Sequence, residues 1–417
     1  MVEKPMGSPR LASLEKESRR GGRRALESGW ERLVARGLPL VERIPGENAK
    51  LRATFAWRPG QRLRSPSIFT SLAGLTESET ALHPLGNTGV WYHSFDLTPG
   101  ARAYYGFSPQ PFPGFSAGKG AFPRYIRTVL PDPHNPSRMT MGKDPDDRND
   151  AAVDLSIASL PKAPRMRWSE TTGGLHWREA QHRLGSRHLR SQRRVWVYLP
   201  SEFDPRRKRY RLVVVFDGVE YSSAIPTPRI VEGLVRANRI PPTVLVLVGH
   251  APHARTKELG ANLDFSRFLA TELVPWLRRK YRLSTKAEDT VLAGSSLGGL
   301  AAAHAALHYP DRFGKVFAQS GAFGFPLSGP GGTPATLMEE FVRTPRHSTE
   351  FYLNAGTLET IALPGFPATL LGHARYMRDV LRAKGYRVTY AEFEGAHDYA
   401  CWRATFADGL IALLGRN

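Results

Sequence analysis

Between Val291 and Leu307 the chain leaves few folds open. Val291-Leu292-Ala293 reads as a short strand, Leu297–Leu307 reads as an alanine-rich helix, and Gly294-Ser295-Ser296-Leu297-Gly298 links the two. So tight a strand-to-helix bend forces its central residue into strained backbone geometry and tolerates only small residues two places before and two after. Gly294 and Gly298 fill those places, and Gly299 gives the helix room to pack closely. Ser296 is thereby lifted out of a sheet, with the free N–H groups and positive end of the new helix beside its hydroxyl. The same pattern recurs at Gly114-Phe115-Ser116-Ala117-Gly118, in a proline-rich stretch with no strand before it and no helix after it. Ser116 is read as a loop serine.

The texture around Ser296 is that of an α/β domain. Strand-like runs at Arg194–Leu199, Leu212–Phe216, Thr243–Val248, Thr290–Ala293, Val316–Ala318, Phe351–Leu353 and Val388–Phe393 alternate with helical spacing at Ser266–Arg279, Leu297–Leu307 and Ala374–Lys384. Such alternation predicts a mostly parallel sheet covered by helices. The preceding part differs: Leu51–Trp57, Ser67–Leu75, Val90–Leu97 and Ala101–Phe107 are short runs closed by Pro and Gly, as in a small all-β sandwich. The organisation expected is a disordered basic tail over 1–24, a β-rich N-terminal substrate-recognition domain over 25–160, a linker over 161–176 and a catalytic domain over 177–417. Residues 131–172, rich in Pro, Asp and Ser, are read as irregular chain leading into the linker.

Composition narrows the function. A hydrophobic fraction of 41% and an aromatic fraction of 10% exclude global disorder. The 58 Lys and Arg against 38 Asp and Glu give a net charge of +20. The basic residues are scattered and lack zinc-finger or RNA-recognition patterning, so no nucleic-acid partner is expected. One cysteine, Cys401, rules out an intrachain disulfide framework and a cysteine-based zinc cluster, and fits a reducing compartment. No run of about 18 apolar residues marks a membrane span, and no apolar core follows the basic N-terminus as in a signal peptide. Neither a His-Glu-x-x-His helix nor a carboxylate cluster suggests a metal, so no cofactor is expected.

A nucleophilic serine needs a base, and in a sheet of this kind the base comes last in the chain. His397, in Glu394-Gly395-Ala396-His397-Asp398 after the final strand-like run, is preferred over His347 and over His373, which heads an apparent helix and reads as solvated or capping. The acid orienting the imidazole should follow a strand between serine and histidine. Glu359, after Phe351–Leu353, meets that condition; Asp398 is its rival. Leu297 supplies one oxyanion donor, and the turn Phe216-Asp217-Gly218-Val219 the other, through Gly218 or Val219.

These residues together resemble the enterochelin (enterobactin) esterases, trilactone siderophore hydrolases in the esterase D-like branch of the α/β-hydrolases. The likeness is carried by Phe216-Asp217-Gly218; Arg255 with Glu258-Leu259 and Asn262; Glu272–Trp276; Gly294–Gly299; Pro310–Phe313; Gln319-Ser320-Gly321; and His397-Asp398 with Trp402. It extends to Trp91, Tyr105-Gly106-Phe107 and Asp132–Pro136 in the first domain. The resemblance implies cytoplasmic hydrolysis of a ferric or iron-free siderophore, catalytic roles for Ser296, His397 and Glu359, and no obligate protein or membrane partner. It departs after Gln319-Ser320-Gly321, where Ala322-Phe323-Gly324-Phe325 replaces the family's aromatic pair. A tris-catecholate iron complex is an anion with flat rings, matched by guanidinium and aromatic faces. Arg255, Arg124, Arg127, Trp91, Tyr104 and Tyr105 are the candidates for that contact, and the resemblance adds Asn262 and Trp402. A general carboxylesterase, an acyltransferase and a binding protein that kept the fold without activity are the alternatives.

Overall fold

The computed structural model describes residues 7–74, 76–114, 120–170, 174–204, 206, 209–328, 334–360 and 368–415. They divide into two compact units. The first comprises the chain up to Lys143, with Asn149–Pro164 and Glu394–Ala400; the second comprises Asp144–Arg148, Arg165–Phe393 and the chain from Cys401 onward.

The first unit holds β1 (Leu40–Ile44), β2 (Glu47–Trp57), β3 (Ser67–Thr70), β4 (His83–Pro84), β5 (Trp91–Leu97), β6 (Arg102–Ser108), β7 (Arg138–Met141) and β8 (Val153–Ser159). These form two antiparallel four-stranded sheets, ordered β1-β2-β5-β4 and β3-β6-β8-β7. Aromatic side chains join the two sheets. Trp57 of β2 stacks on Phe107 of β6 at 5.4 Å between ring centroids, and Phe55 meets Tyr105 edge-on at 4.6 Å. Two of these strands, β7 and β8, lie where the sequence suggested irregular chain. Both are short, and pairing with each other and with β6 sustains them rather than a strong alternating pattern.

The basic N-terminus is also structured, contrary to the expected disordered tail. Pro9–Ala35 is helical, with Ser8 capping its start through a hydrogen bond from the Leu11 N–H. The segment folds back at Gly22 (φ 60°), so that Leu14 lies against Gly29 and Glu17 pairs with Arg32 at 2.6 Å. The glycine pair inside the arginine run is therefore a turn. Leu11, Leu14, Leu26, Trp30 and Leu33 are buried with Leu40, Ala56, Val90 and Tyr92, which holds the helices on the β1-β2-β5-β4 sheet.

The second unit is built on one eight-stranded sheet. Its strands are β9 (Trp177–Ser186), β10 (Ser191–Pro200), β11 (Arg211–Phe216), β12 (Thr243–Val248), β13 (Thr290–Ser295), β14 (Lys315–Gln319), β17 (Glu350–Gly356) and β18 (Arg387–Phe393); β15 (Leu327–Ser328) and β16 (Pro334–Ala335) pair separately. The order is β18-β17-β14-β13-β11-β12-β10-β9, parallel from β18 to β12 and antiparallel at β10 and β9. The fold is thus an α/β-hydrolase-type sheet preceded by an all-β region. Val213, Val214 and Val215 of β11 are fully buried, as expected of a central strand covered on both faces. Strand β9 escaped the sequence reading because its polar side chains are largely exposed at the sheet edge.

Helical spacing over Ser266–Arg279 resolves into an α-helix Leu263–Arg267, a π-helical turn Phe268–Leu273 and an α-helix Val274–Tyr281. Pro275, which has no N–H to continue an α-helical ladder, lies just past the π turn. The unit boundaries also depart from the expected ones. Asp146 accepts hydrogen bonds from Arg183 and Arg194, which ties 144–148 to the sheet of the second unit. Glu394 accepts from the Gly100 N–H at 2.8 Å, which ties the loop after β18 to the first.

If the N-terminal helices are part of the folded unit, Trp30→Ala costs about 3–5 kcal/mol of stability, as for other buried Trp truncations. Denaturant unfolding of the full chain reads this as a lower midpoint with an unchanged slope.

Candidate active site

Register brings the functional residues to one edge of the second unit's sheet. Ser295 of β13 pairs with Gln319 of β14, and Gln319 pairs with Asn354 of β17. The residues that follow β13 and β14, Ser296 and Ser320, leave the sheet at its carboxyl edge, where open α/β sheets bind ligands. Ser296 has φ 56° and ψ −121°, Ser320 has φ 47°, and Asp217 after β11 has φ 54°. Side chains other than glycine rarely take up such backbone. Three of them, directly after three neighbouring strands, mark this edge as a site.

The bend at Ser296 is held from both sides. Its N–H donates to the Gln319 carbonyl at 2.9 Å, and its carbonyl accepts from the Ala322 N–H at 3.0 Å and from the Leu300 N–H at 3.1 Å. The glycines are sterically required. A Cβ on Gly294 would lie 2.7 Å from the backbone of Gly298, and one on Gly299 would lie 3.0 Å from Ala318 Cβ and 3.1 Å from Gly321 Cα. The helix Leu297–His308 begins immediately after the serine, so the Leu297 N–H belongs to the first turn, whose donors have no intrahelical acceptor.

The second expected oxyanion donor requires a correction. The Gly218 N–H donates to the Val248 carbonyl at 3.1 Å, extending the β11–β12 ladder, and so is not available to a substrate. Gly218 serves instead to let the chain pass Trp196, whose ring would be 2.8 Å from an added Cβ. The Val219 N–H has no acceptor among the described residues.

Glu359 sits on a buried network beside this bend. Its Oε1 accepts from Ser320 Oγ at 2.5 Å and from the Gly356 N–H at 2.9 Å. Ser320 Oγ in turn accepts from Trp402 Nε1 at 2.9 Å. Since Gln319 and Ala322 hold the backbone of Ser296 and Ser320 lies between them in sequence, Glu359 is fixed relative to the serine. Trp402, expected at the substrate, is buried in this network and acts on Ser320. Ser320 had no signal in the sequence beyond its place in Gln319-Ser320-Gly321. The neighbouring Gln319 side chain donates to the Trp402 carbonyl and accepts from Tyr221 Oη, which fastens the last helix to the sheet.

His397 and Asp398 lie in the segment 394–400, grouped with the first unit. There the Asp398 carboxylate accepts from Ser71 Oγ and from the Tyr104 N–H at 3.4 Å.

Of the other candidates, Arg255 forms a bidentate pair with Asp217, with both contacts at 2.7 Å. Asn262 caps the helix Leu263–Arg267, accepting from the Phe265 N–H, and its amide donates to the Lys257 carbonyl; it is a structural residue rather than a substrate contact. Tyr105 is fully buried, and its hydroxyl donates to Asp132 at 2.7 Å, so it belongs to the β core. Tyr104 is half-buried and stacks on Phe69, Trp91 is half-buried on β5, and Arg124 and Arg127 are exposed. His373, expected to be solvated or capping, is buried within the helix Leu370–Ala383, whose N-cap is Thr369, and its ring fills the space beside Gly324. Ser116 lies outside the described residues.

Two family models match the chain: "Enterochelin esterase, N-terminal" over residues 52–169 and "Putative esterase" over residues 186–413. The chain belongs to the enterochelin esterase family. The iron(III) enterobactin esterase of Escherichia coli O6:H1 is 27% identical over 408 residues, covering 93% of this chain and 96% of that protein. The iron(III) salmochelin esterase of the same strain is 26% identical, covering 97% and 98%. Among solved structures, the Shigella flexneri enterobactin esterase crystallised in the presence of enterobactin aligns with a TM-score of 0.71 at 25% identity, over 93% of this chain and 97% of that one. The ferric enterobactin esterase of Salmonella typhimurium, at 23% identity and a TM-score of 0.74, shares the fold over 93% of this chain and 98% of that one.

Glu220, two residues beyond Gly218, went unnoticed in the sequence. Burial, then the nearby Asp217 carboxylate, push its pKa up to about 8. The unfolded chain releases this proton near the ordinary 4.5, whereas the folded chain holds it until about 8. Over that interval the folded state binds more protons, so stability falls as pH rises. Glu220→Gln should flatten the fall, which denaturant unfolding at pH 5 and pH 8 measures; equal slopes for the variant and the parent would contradict it.

Proposed function

We propose that this chain is a serine esterase that hydrolyses the trilactone ester bonds of a catecholate siderophore of the enterobactin type, ferric or iron-free. The observation that carries this reading is the pairing of two parts in one chain. The strained Ser296 sits in an esterase sheet, and ahead of it lies the β-rich domain that matches the enterochelin esterase N-terminal model.

In the proposed reaction His397 takes the proton of Ser296 as Oγ attacks a lactone carbonyl. The developing oxyanion is held by the N–H groups of Leu297 and Val219. Collapse of the tetrahedral intermediate breaks the C–O bond, and the histidine returns the proton to the departing alkoxide. Water, deprotonated by the same histidine, then attacks the acyl-enzyme and releases a carboxylate and the free serine. Glu359 orients the imidazole and stabilises its charged form. Its anchorage through Ser320 beside the serine bend supports this choice.

Arg255, its guanidinium plane set by Asp217, is proposed to meet the anionic catecholates, and Arg124, Arg127, Trp91 and Tyr104 remain proposed contacts by their chemistry. No cofactor enters these steps, and iron is part of the substrate. We place the reaction in the cytoplasm, in keeping with a single, buried cysteine that has no second cysteine to pair with. No helix of the described residues is long and apolar enough to cross a membrane.

Incubation with free and ferric enterobactin, followed by mass spectrometry of the products, tests the reading. Stepwise hydrolysis is expected from the parent chain, and Ser296→Ala should lower kcat by about 10⁴–10⁶-fold, as nucleophile removal does in other serine hydrolases. Turnover of simple aryl esters alone would point to a general carboxylesterase.

A further inference from the structure

The helix that begins at the catalytic bend carries a second group of polar side chains at its other end. His304 and His308, four residues apart on helix Leu297–His308, share one face and have ring centroids 4.4 Å apart. Glu340, from helix Leu337–Arg343, brings its Oε1 to 2.9 Å from His308 Nε2. One potential ligand atom from each of the three residues lies within 4.8 Å of the other two.

We propose that His304, His308 and Glu340 form a binding site for a divalent transition metal of the zinc type. Two imidazoles and one carboxylate are a common zinc donor set, in which a water completes the tetrahedron. His308 and Glu340 keep side-chain exposures of 30% and 29%, which leaves a path for the ion and for that water. The outer contacts are those of a metal-binding histidine. Ser266 Oγ lies 2.9 Å from His304 Nδ1 and can accept its proton, which leaves Nε2 as the coordinating atom. Among the described residues that Nε2 has no hydrogen-bond partner, although His304 is buried.

A plain hydrogen bond between His308 and Glu340 accounts for two of the three residues but leaves the buried imidazole of His304 unexplained. Tetrahedral ligands at about 2.0–2.1 Å from zinc stand about 3.3 Å apart, so closure needs only side-chain rotation of the two half-exposed ligands. His304 and His308 lie eight and twelve residues beyond Ser296, about 12–18 Å along the helix axis. The ion would therefore clip the nucleophile-bearing helix to its neighbour and take no part in ester cleavage.

The test uses the full chain without a histidine tag, stripped with a chelator and titrated with zinc against a chromophoric competitor. One equivalent should bind, and thermal unfolding should move to higher temperature as zinc is added. Glu340→Gln and His308→Asn, both at half-exposed positions, should each weaken binding by more than the roughly 10–100-fold expected of Ser266→Ala, the outer-contact variant. Ester hydrolysis should be the same in all three variants. Failure of the parent chain to bind one equivalent, or variants that bind as tightly as the parent, would overturn the site without touching the esterase assignment.

Discussion

The rest of the structure depends on a backbone conformation that Ser296 would not adopt on its own. Strain at a non-glycine residue with φ 56° persists only where the surroundings over-determine it. Here they do so through hydrogen bonds to Gln319 and Ala322 on one strand connection and through glycines at 294 and 299 that let the helix close on the strand. The sheet order follows from the same need. β14 must lie beside β13 for Gln319 to reach the serine N–H, and β17 must lie beside β14 for Glu359 to reach Ser320.

The same edge gathers the charged groups. Asp217 and Ser320 are strained like the serine, one fixing Arg255 and the other fixing Glu359. A carboxylate held by a hydroxyl and a backbone N–H is already fixed before any charge develops beside it, which is the condition for electrostatic preorganisation. Burial and the neighbouring Asp217 carboxylate both favour the neutral form of Glu220.

Much of this was legible in the sequence because it rests on local chemistry. The bend at Ser296 declares itself through small residues at fixed offsets, and the parallel strands through short β-branched runs. What escaped detection depends on partners distant in the chain. The Gly218 N–H looked like an oxyanion donor until β12 was seen to occupy it. Trp402, Asn262 and Tyr105 carry recognisable motifs, yet their polar atoms are spent on Ser320, a helix cap and Asp132. The N-terminal arginines suggested disorder because charge dominates there, while the leucines at 11, 14, 26 and 33 acquire a common face only once the chain folds at Gly22. Strands β7 and β8 owe their existence to pairing with each other and with β6, which no local pattern announces.

The most direct test is to label the native protein with a fluorophosphonate, which reacts with activated serine hydroxyls, and to map the adduct by peptide mass spectrometry. A hydroxyl activated by the strained bend predicts one adduct per chain, on Ser296. An adduct on Ser116, or an intact chain left unlabelled, would contradict the account.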